Sequence, residues 1–177
     1  NDKKNIFDKE KFYSELTFHY WYWKNLLDLN QKNWVGFCQK RRFWVDREFN
    51  KKEMSDSEQQ KKFLNKTTLE WENYESIICE PIDLSEVKLM KMFKRGFRSI
   101  IKDPLIVFSK NRHTINLHFD MHHGYGNLIK AANLLDEDDR LDFVDYINNS
   151  TSFNPHIMFI AKPYITNLWF NTLFSWL

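Results

Sequence analysis

Apolar residues recur with helical spacing near both ends of the chain. In the first segment they stand three or four positions apart, at Tyr13, Leu16, Tyr20, Trp23 and Leu27. This spacing predicts a helix from Tyr13 to about Leu29. Near the other end, Pro163 stands where a first helical residue belongs, which predicts a helix that continues to Trp176. Shorter periodic segments predict further helices over 85–102, 127–135 and 137–148.

Short apolar runs between these helices are typical of buried strands. They cover residues 33–38, 75–81, 105–108, 115–121 and 157–161. Strands that alternate with helices favour an α/β fold with a mixed or largely parallel sheet. The length of 177 residues suits one domain over residues 1–177, and the charged region 46–68 is expected to be an irregular excursion from it.

The predicted strand over 115–121 has the most informative polar pattern. Its alternation turns Ile115, Leu117, Phe119 and Met121 to one face, and Thr114, Asn116, His118, Asp120 and His122 to the other. His123 follows at once, before Gly124 and Gly126 release the chain into a loop. We therefore predict that His118, Asp120, His122 and His123 form a catalytic site.

Two chemistries suit such a polar face. A histidine held by a carboxylate can act as a general base, and imidazole with carboxylate can also bind a divalent metal. In the metal interpretation, His123 or the distant His156 would complete the ligand shell. A polar strand face that simply meets solvent is the structural alternative, so whether a metal binds is left open.

Composition narrows the class of protein. The formal charge of +2 is too small to indicate nucleic-acid binding, and no apolar run is as long as a membrane span. The two cysteines, Cys38 and Cys79, form neither a zinc motif nor a disulfide framework, which favours a reducing cytoplasm. The basic helix over 85–102 fits either an ordinary amphipathic surface helix or a peripheral contact with the inner face of a membrane.

Charged residues near the first predicted elements suggest a binding site. Arg41 and Arg42 directly follow a predicted buried strand, where paired guanidinium groups suit a diphosphate. A surface salt-bridge cluster is the alternative. Glu15, near the start of the first helix, is either a helix-terminal carboxylate or a ligand contact. His19 is interpreted as a core histidine.

Three blocks of sequence resemble a known bacterial family of capsular and exopolysaccharide biosynthesis. They are Tyr13-Ser14-Glu15-Leu16-Thr17 with Tyr20-Trp21-Tyr22-Trp23-Lys24-Asn25, Trp34-Val35-Gly36-Phe37-Cys38 with Arg41-Arg42-Phe43-Trp44, and Phe153-Asn154-Pro155-His156-Ile157-Met158-Phe159-Ile160 with Leu173-Phe174-Ser175-Trp176-Leu177. The family carries a domain-of-unknown-function label and is regarded as glycosyltransferases. One departure is that Gln39-Lys40 stand where the family commonly has His-Tyr.

The resemblance implies a type A glycosyltransferase fold, a nucleotide-sugar-binding α/β sandwich. Its first strand would precede Asn1, so the fold is expected to be N-terminally incomplete. Glu15, Arg41 and Arg42 would face the donor, and Asn154 would line the sugar pocket. His156, next to Asn154, is a further candidate for substrate binding. The expected partners are a nucleotide-sugar and a glycan acceptor, and the candidate cofactors are Mn²⁺ and Mg²⁺.

The resemblance thus implies a glycosyltransferase that builds a capsular or exopolysaccharide glycan, and the cysteine content favours the cytoplasm as its location. Arg41 and Arg42 would neutralise the leaving diphosphate, while Asp120 with a neighbouring histidine would act as the base on the acceptor. Two alternatives stay open. One is a non-catalytic, transferase-like module that binds a glycan or a protein, and the other is a metal-dependent hydrolase built on the His/Asp cluster.

Overall fold

A computed structural model describes residues 3–45, 63–64, 66–84 and 93–177 of the chain. Its helices are α1 Glu10–Tyr13, α2 Leu16–Asn25, α3 Phe97–Lys102, α4 Ile115–His123, α5 Asn127–Ala132, α6 Glu137–Asn149 and α7 Pro163–Trp176. Its strands are β1 Val35–Phe37, β2 Ser76–Ile78, β3 Ile82–Asp83, β4 Ser152–Phe153 and β5 Phe159–Ala161. Short 3-10 helices cover Phe7–Lys9, Leu69–Trp71, Pro104–Val107 and Lys110–Arg112.

The chain forms two compact units. The first contains Asn1–Cys79, His156–Ser175 and Leu177, and the second contains Glu80–Pro155 and Trp176. The single domain over residues 1–177 that the length suggests stays a prediction. Within the described ranges, none of the helices combines the length and the apolar character that crossing a bilayer requires.

A three-stranded sheet organises the first unit. β5 lies between β1 and β2 and pairs antiparallel with both, so that Ile160 is opposite Gly36 on one side and Ile77 on the other. The second unit has an antiparallel pair, β3 with β4. The expectation of a mixed or largely parallel sheet is therefore wrong for the described strands. β1 and β2 run in the same direction, but the chain returns at its end to place β5 between them.

One face of the first sheet packs on a cluster of rings. Val35 and Phe37 point into this cluster, and the Phe37 ring lies 4.4 Å from the His19 ring between centroids. His19 is 1% exposed and also meets Phe159 and Phe170, which confirms it as a core histidine. Burial lowers the pKa of His19 to about 4, against a smaller opposing effect of Glu15.

In the second unit, the segment predicted as a strand over 115–121 is the helix α4, and the prediction was wrong. Thr114 caps the helix, its Oγ1 accepting a hydrogen bond from the Leu117 amide. Ile115 packs into a cluster with Leu84, Leu128 and Ile147, whereas Leu117 and Met121 pack on Ile106. A helix buried on two sides has apolar residues at alternate positions, and so imitates the pattern of a strand.

The other predicted elements have mixed outcomes. The strands over 33–38, 75–81 and 157–161 are confirmed by β1, β2 and β5, and the helices over 127–135, 137–148 and from Pro163 are confirmed by α5, α6 and α7. The strand over 105–108 was wrong, because Asp103 caps a 3-10 helix at Pro104–Val107. Of the predicted helix 85–102, residues 85–92 lie outside the described part, as do residues 46–62 and 65 of the predicted excursion.

Candidate functional site

A tight turn directly after β1 carries the predicted arginine pair. Gln39 and Arg42 exchange two backbone hydrogen bonds of 3.1 Å, which leaves Lys40 and Arg41 at the tip. The Lys40 amide donates a hydrogen bond to the Glu15 carboxylate at the N-cap of α2. Glu15 therefore holds the turn against the start of α2, and the arginine pair lies at the carboxyl end of β1 as predicted.

A hydrogen bond from Arg42 connects this turn to His156, in the segment that precedes β5. The Arg42 guanidinium donates to Nδ1 of His156 at 2.7 Å and to Oε1 of Gln39 at 3.2 Å. Because a guanidinium group only donates, Nδ1 of His156 accepts and the imidazole in this contact carries its proton on Nε2. The thiol of Cys79 follows β2 nearby; burial raises its pKa, and the charge of Arg42 opposes that shift.

An aromatic cavity of about 390 Å³ lies on the face of the sheet opposite to the His19 cluster. Gly36 and Cys38 alternate with the inward-facing Val35 and Phe37, and they line the cavity together with Ile160. The remaining lining residues are mostly aromatic: Trp34, Phe43, Trp44, Phe63, Leu64, Lys66, Thr67 and Trp71. Because Gly36 has no side chain, a ligand can approach the backbone of β1 closely.

Contacts between the rings shape the walls of this cavity. The Trp34 and Trp71 rings meet edge to face with centroids 5.5 Å apart, and Phe43 stacks on Phe63 at 4.9 Å. Trp44 donates from Nε1 to the Phe37 carbonyl at 3.0 Å, which anchors its indole to β1. Phe43 and Trp44 directly follow Arg42, so this cavity borders the arginine turn. Such a cavity suits a flat ring, and the adjoining guanidinium groups suit an anion.

Two hydrogen bonds hold the Asp120 carboxylate in the second unit. Its Oδ2 accepts a hydrogen bond of 3.0 Å from the Ser99 hydroxyl, and its Oδ1 accepts one of 2.8 Å from the Gly126 amide. Ser99 is buried, and Gly126 has a positive φ of 75°. Asp120 thus fixes the turn after α4 to α3, and each carboxylate oxygen keeps a further lone pair for a ligand.

The predicted alternation of His118, Asp120 and His122 on one strand face was wrong, because the segment is helical. His118 and His122 are one turn apart, with ring centroids separated by 4.3 Å. The Nδ1–H of His122 donates to the His118 carbonyl at 2.8 Å. His123 is exposed and packs its ring on Phe119 at 4.9 Å. On a helix, Asp120 is rotated about 200° from His118, so the three side chains do not converge as they would on a strand.

Two cavities share Ser99, Asp120 and Tyr125 in their linings. One of about 640 Å³ also contains Arg95, Arg98 and His122. The other, of about 800 Å³, is rich in amide side chains and includes Asn116, Asn148 and Asn149. Asn116 donates to Oδ1 of Asn148 at 3.0 Å, while its own Oδ1 is buried with no hydrogen-bond partner among the described residues. Amides and a fixed carboxylate suit a ligand with several hydroxyl groups.

The predicted site residues divide between the two units. Glu15, Arg41, Arg42 and His156 belong to the first unit, where hydrogen bonds link Glu15 to the arginine turn and Arg42 to His156. His118, Asp120, His122, His123 and Asn154 belong to the second. The expected approach of His156 to Asp120 stays a prediction, as does the role of Asn154. In the described part of the chain, no group of three or more His, Cys, Asp or Glu side chains could hold a metal ion.

Sequence reasoning missed the aromatic cavity. The sequence predicts a buried strand over residues 33–38, whereas in the structure Gly36 and Cys38 face the cavity. The available signal was the group of rings around the charged excursion, since Phe43, Trp44 and Trp71 flank it and Phe63 lies near its end. No sequence pattern predicted that the Ser99 hydroxyl donates a hydrogen bond to Asp120.

Comparisons with known proteins agree with a transferase-like fold. The family model described as a domain of unknown function, DUF4422, matches residues 1–177. A comparison with curated proteins finds no match. The chain is similar to a solved apo structure of WbbM, a bifunctional glycosyltransferase, with a TM-score of 0.55 and 18% identity. This likeness covers 99% of the chain and 29% of the WbbM chain, and shows a glycosyltransferase-like fold.

Proposed function

Because the chain belongs to the DUF4422 family and has a glycosyltransferase-like fold, we propose that it transfers a sugar from a nucleotide-sugar donor to a glycan acceptor. The finer assignments, a type A fold and a role in capsular or exopolysaccharide biosynthesis, belong to the same proposal. The observation that carries it is the aromatic cavity bordering the Arg41–Arg42 turn at the carboxyl end of β1.

The donor would bind in the first unit. A nucleobase is a flat ring, and stacking on aromatic side chains contributes about 1–3 kcal/mol per base in proteins that bind single-stranded nucleic acid. Gly36 lets such a ring lie close to β1, and Trp34 and Trp71 provide the walls. Arg41 and Arg42 would then bind the diphosphate, the leaving group on which negative charge develops in the transition state.

Glu15 and His156 act through the arginine turn in this proposal. Glu15 accepts the Lys40 amide hydrogen, and so keeps the tip of the turn in one position. His156 accepts a hydrogen bond from the Arg42 guanidinium. Because the accepting imidazole has no negative charge, the positive charge of Arg42 stays available for a phosphate group. Both are therefore proposed as positioning residues for the donor.

The acceptor would bind in the second unit. Asp120 and Asn116 offer hydrogen-bond acceptors to sugar hydroxyl groups in the amide-rich cavity of about 800 Å³. Asp120 stays the proposed base, and His122, which lines the cavity of about 640 Å³ together with Asp120, is the neighbouring histidine that would act with it. No step of the proposed reaction uses a metal ion. Mn²⁺ or Mg²⁺ is added or left out only when nucleotide-sugar binding is measured.

Calorimetric titration with a panel of nucleotide-sugars, with and without Mn²⁺, tests the donor site. We expect binding of one donor by the wild-type chain, and a loss of about 100-fold or more in Arg41→Gln/Arg42→Gln, since each of the two charge-assisted hydrogen bonds contributes roughly 1.5–3 kcal/mol. Lys32→Gln, which removes an exposed cation elsewhere in the first unit, should bind as the wild type does. The absence of binding to every nucleotide-sugar would contradict the proposal.

The second candidate function is a non-catalytic transferase-like module. It is favoured by Asp120, whose two carboxylate oxygens already accept hydrogen bonds from the protein. Binding of a donor without turnover, tested with radiolabelled sugar and a mixture of glycan acceptors, would support this function. The third alternative, a metal-dependent hydrolase, lost its main argument when the His118–His122 segment proved helical.

A further inference from the structure

A short basic segment of the second unit exposes an unusual number of large apolar side chains. Between residues 93 and 108, five of them are more than half exposed: Phe93 51%, Phe97 60%, Ile101 65%, Leu105 54% and Phe108 83%. An ordinary amphipathic surface helix, one of the two interpretations of residues 85–102, would bury such apolar side chains. In α3 Ser99 is buried and Ile100 packs on the cluster of Ile106, Leu117 and Met121, whereas Phe97 and Ile101 are turned outward.

Cations stand directly between these apolar residues. Lys94, Arg95, Arg98 and Lys102 are all exposed. The acidic residue of the segment, Asp103, is paired with Arg112, so its charge is compensated. Within the described ranges, no carboxylate forms an ion pair with Arg95 or Arg98. Among the described residues, the segment therefore presents positive charge beside exposed apolar side chains.

We propose that residues 93–108, here called the basic apolar segment, bind the surface of an anionic phospholipid bilayer. The phenylalanines and Ile101 would enter the boundary between headgroups and acyl chains. Arg95 and Arg98 would bind lipid phosphates, and they border the cavity of about 640 Å³ beside Tyr125, which has room for a headgroup. A second protein would need complementary acidic and apolar surface, whereas a bilayer offers anionic headgroups above an apolar layer.

This inference concerns the second unit and does not rest on the donor proposal. Nucleotide-sugar binding tests the role of the arginine turn in the first unit, and vesicle binding tests the role of the basic apolar segment in the second. Either can fail while the other holds. If both hold, the glycan acceptor would be presented to the protein at a membrane surface.

Co-sedimentation with vesicles tests the proposal on the full 177-residue chain. We expect binding to phosphatidylcholine vesicles that contain 30% phosphatidylglycerol, and at least tenfold weaker binding to pure phosphatidylcholine. Binding to the anionic vesicles should weaken as salt rises from 0.1 M to 0.5 M. Inorganic phosphate at 10 mM should not displace the protein, which separates a bilayer from a site for free phosphate.

Two independent variants of the segment keep the test decisive. Arg95→Gln/Arg98→Gln should weaken binding about 30-fold, since each basic residue near an anionic surface contributes about 1 kcal/mol. Phe97→Ser/Ile101→Ser should weaken it at least tenfold by removing apolar burial. The matched controls are Lys110→Gln/Lys130→Gln and Leu134→Ser/Leu141→Ser, which change equally exposed residues of the same unit.

Circular dichroism confirms that each variant is folded before it is compared. Failure of the wild type to bind anionic vesicles would overturn the proposal. Equal binding by the segment variants and their controls would overturn it as well, because the basic apolar segment would then contribute nothing.

Discussion

Arg42 donates a hydrogen bond of 2.7 Å to Nδ1 of His156, a residue 114 positions further along the chain. This bond links the turn after β1 to the segment that enters β5, at the edge of the sheet where the proposed donor diphosphate would bind. Since Nδ1 accepts, the imidazole proton of His156 is on Nε2. The contact thus fixes both a side-chain position and a tautomer.

Loss of this contact should weaken binding of a nucleoside diphosphate. We expect His156→Phe and Arg42→Lys each to reduce the affinity for UDP or the preferred diphosphate, and the two losses to be non-additive by about 0.5–3 kcal/mol. Calorimetry on the two single variants and the double variant measures this coupling. Nitrogen NMR of wild-type His156 provides a check without ligand, and a proton on Nδ1 would refute the assigned contact.

Gly36 should matter more for ligand binding than for stability. A Cβ at Gly36 would lie 3.4 Å from Cγ1 of Ile160, so Gly36→Ala fits with a small adjustment and reduces the flexibility of the unfolded chain. Gly36→Val extends two methyl groups from the cavity floor and should weaken nucleotide binding on the order of tenfold, a loss of about 1.4 kcal/mol. Urea unfolding and calorimetry measure the two effects, with Gly36→Ala as the matched control.

If the Gly36→Val variant binds nucleotide as tightly as the wild type, the aromatic cavity is not the donor site. If both variants unfold at clearly lower urea concentrations, Gly36 has a structural role instead.

His19 should make the first unit sensitive to acid. Its pKa is about 6.5 when unfolded and about 4 when folded, so below pH 6.5 the unfolded chain binds more protons than the folded chain. Stability therefore falls as the pH decreases, by about 3 kcal/mol between pH 7.5 and pH 4 from this group. Urea unfolding at a series of pH values measures the slope.

His19→Leu removes the titrating group and should flatten the slope by that amount. Identical slopes for wild type and His19→Leu would mean that His19 does not titrate between the two states.

The two glycines after α4 should tolerate alanine differently. Gly124 has a φ of 98°, and a Cβ there would lie 2.8 Å from Nδ2 of Asn127, a group that donates to the His123 carbonyl. Gly126 has a φ of 75° in the left-handed helical region and open space around its Cβ position. Gly126→Ala should cost about 1 kcal/mol and Gly124→Ala about 2–3 kcal/mol.

Thermal or urea unfolding compares the two glycine variants. Adding Asn127→Ala should recover part of the loss in Gly124→Ala, because it removes the clash but not the backbone strain. No recovery would assign the whole loss to the backbone.

Local patterns were sufficient where one physical requirement decides the structure. Pro163 at the first turn predicted α7, because its ring fixes a helical φ, and short apolar runs with high strand propensity predicted β1, β2 and β5. His19 was correctly placed in a core, since rings surround it in sequence. The pattern failed at α4, where two hydrophobic clusters on opposite sides of a helix produce the alternation of a strand.

The sequence by itself determined most helices, three strands of the described sheet and the position of Arg41 and Arg42 at the end of β1. Only the tertiary structure decided that β5 lies between β1 and β2, that Arg42 meets His156, and that Gly36 and Cys38 face an aromatic cavity. These relationships join residues far apart in the chain, and side-chain periodicity contains no information about which distant segments pair. For the same reason, the sequence did not predict the hydrogen bonds of Asp120. Its partners are Ser99, earlier in the chain, and Gly126, later in the chain, and both reach the carboxylate only in the folded structure.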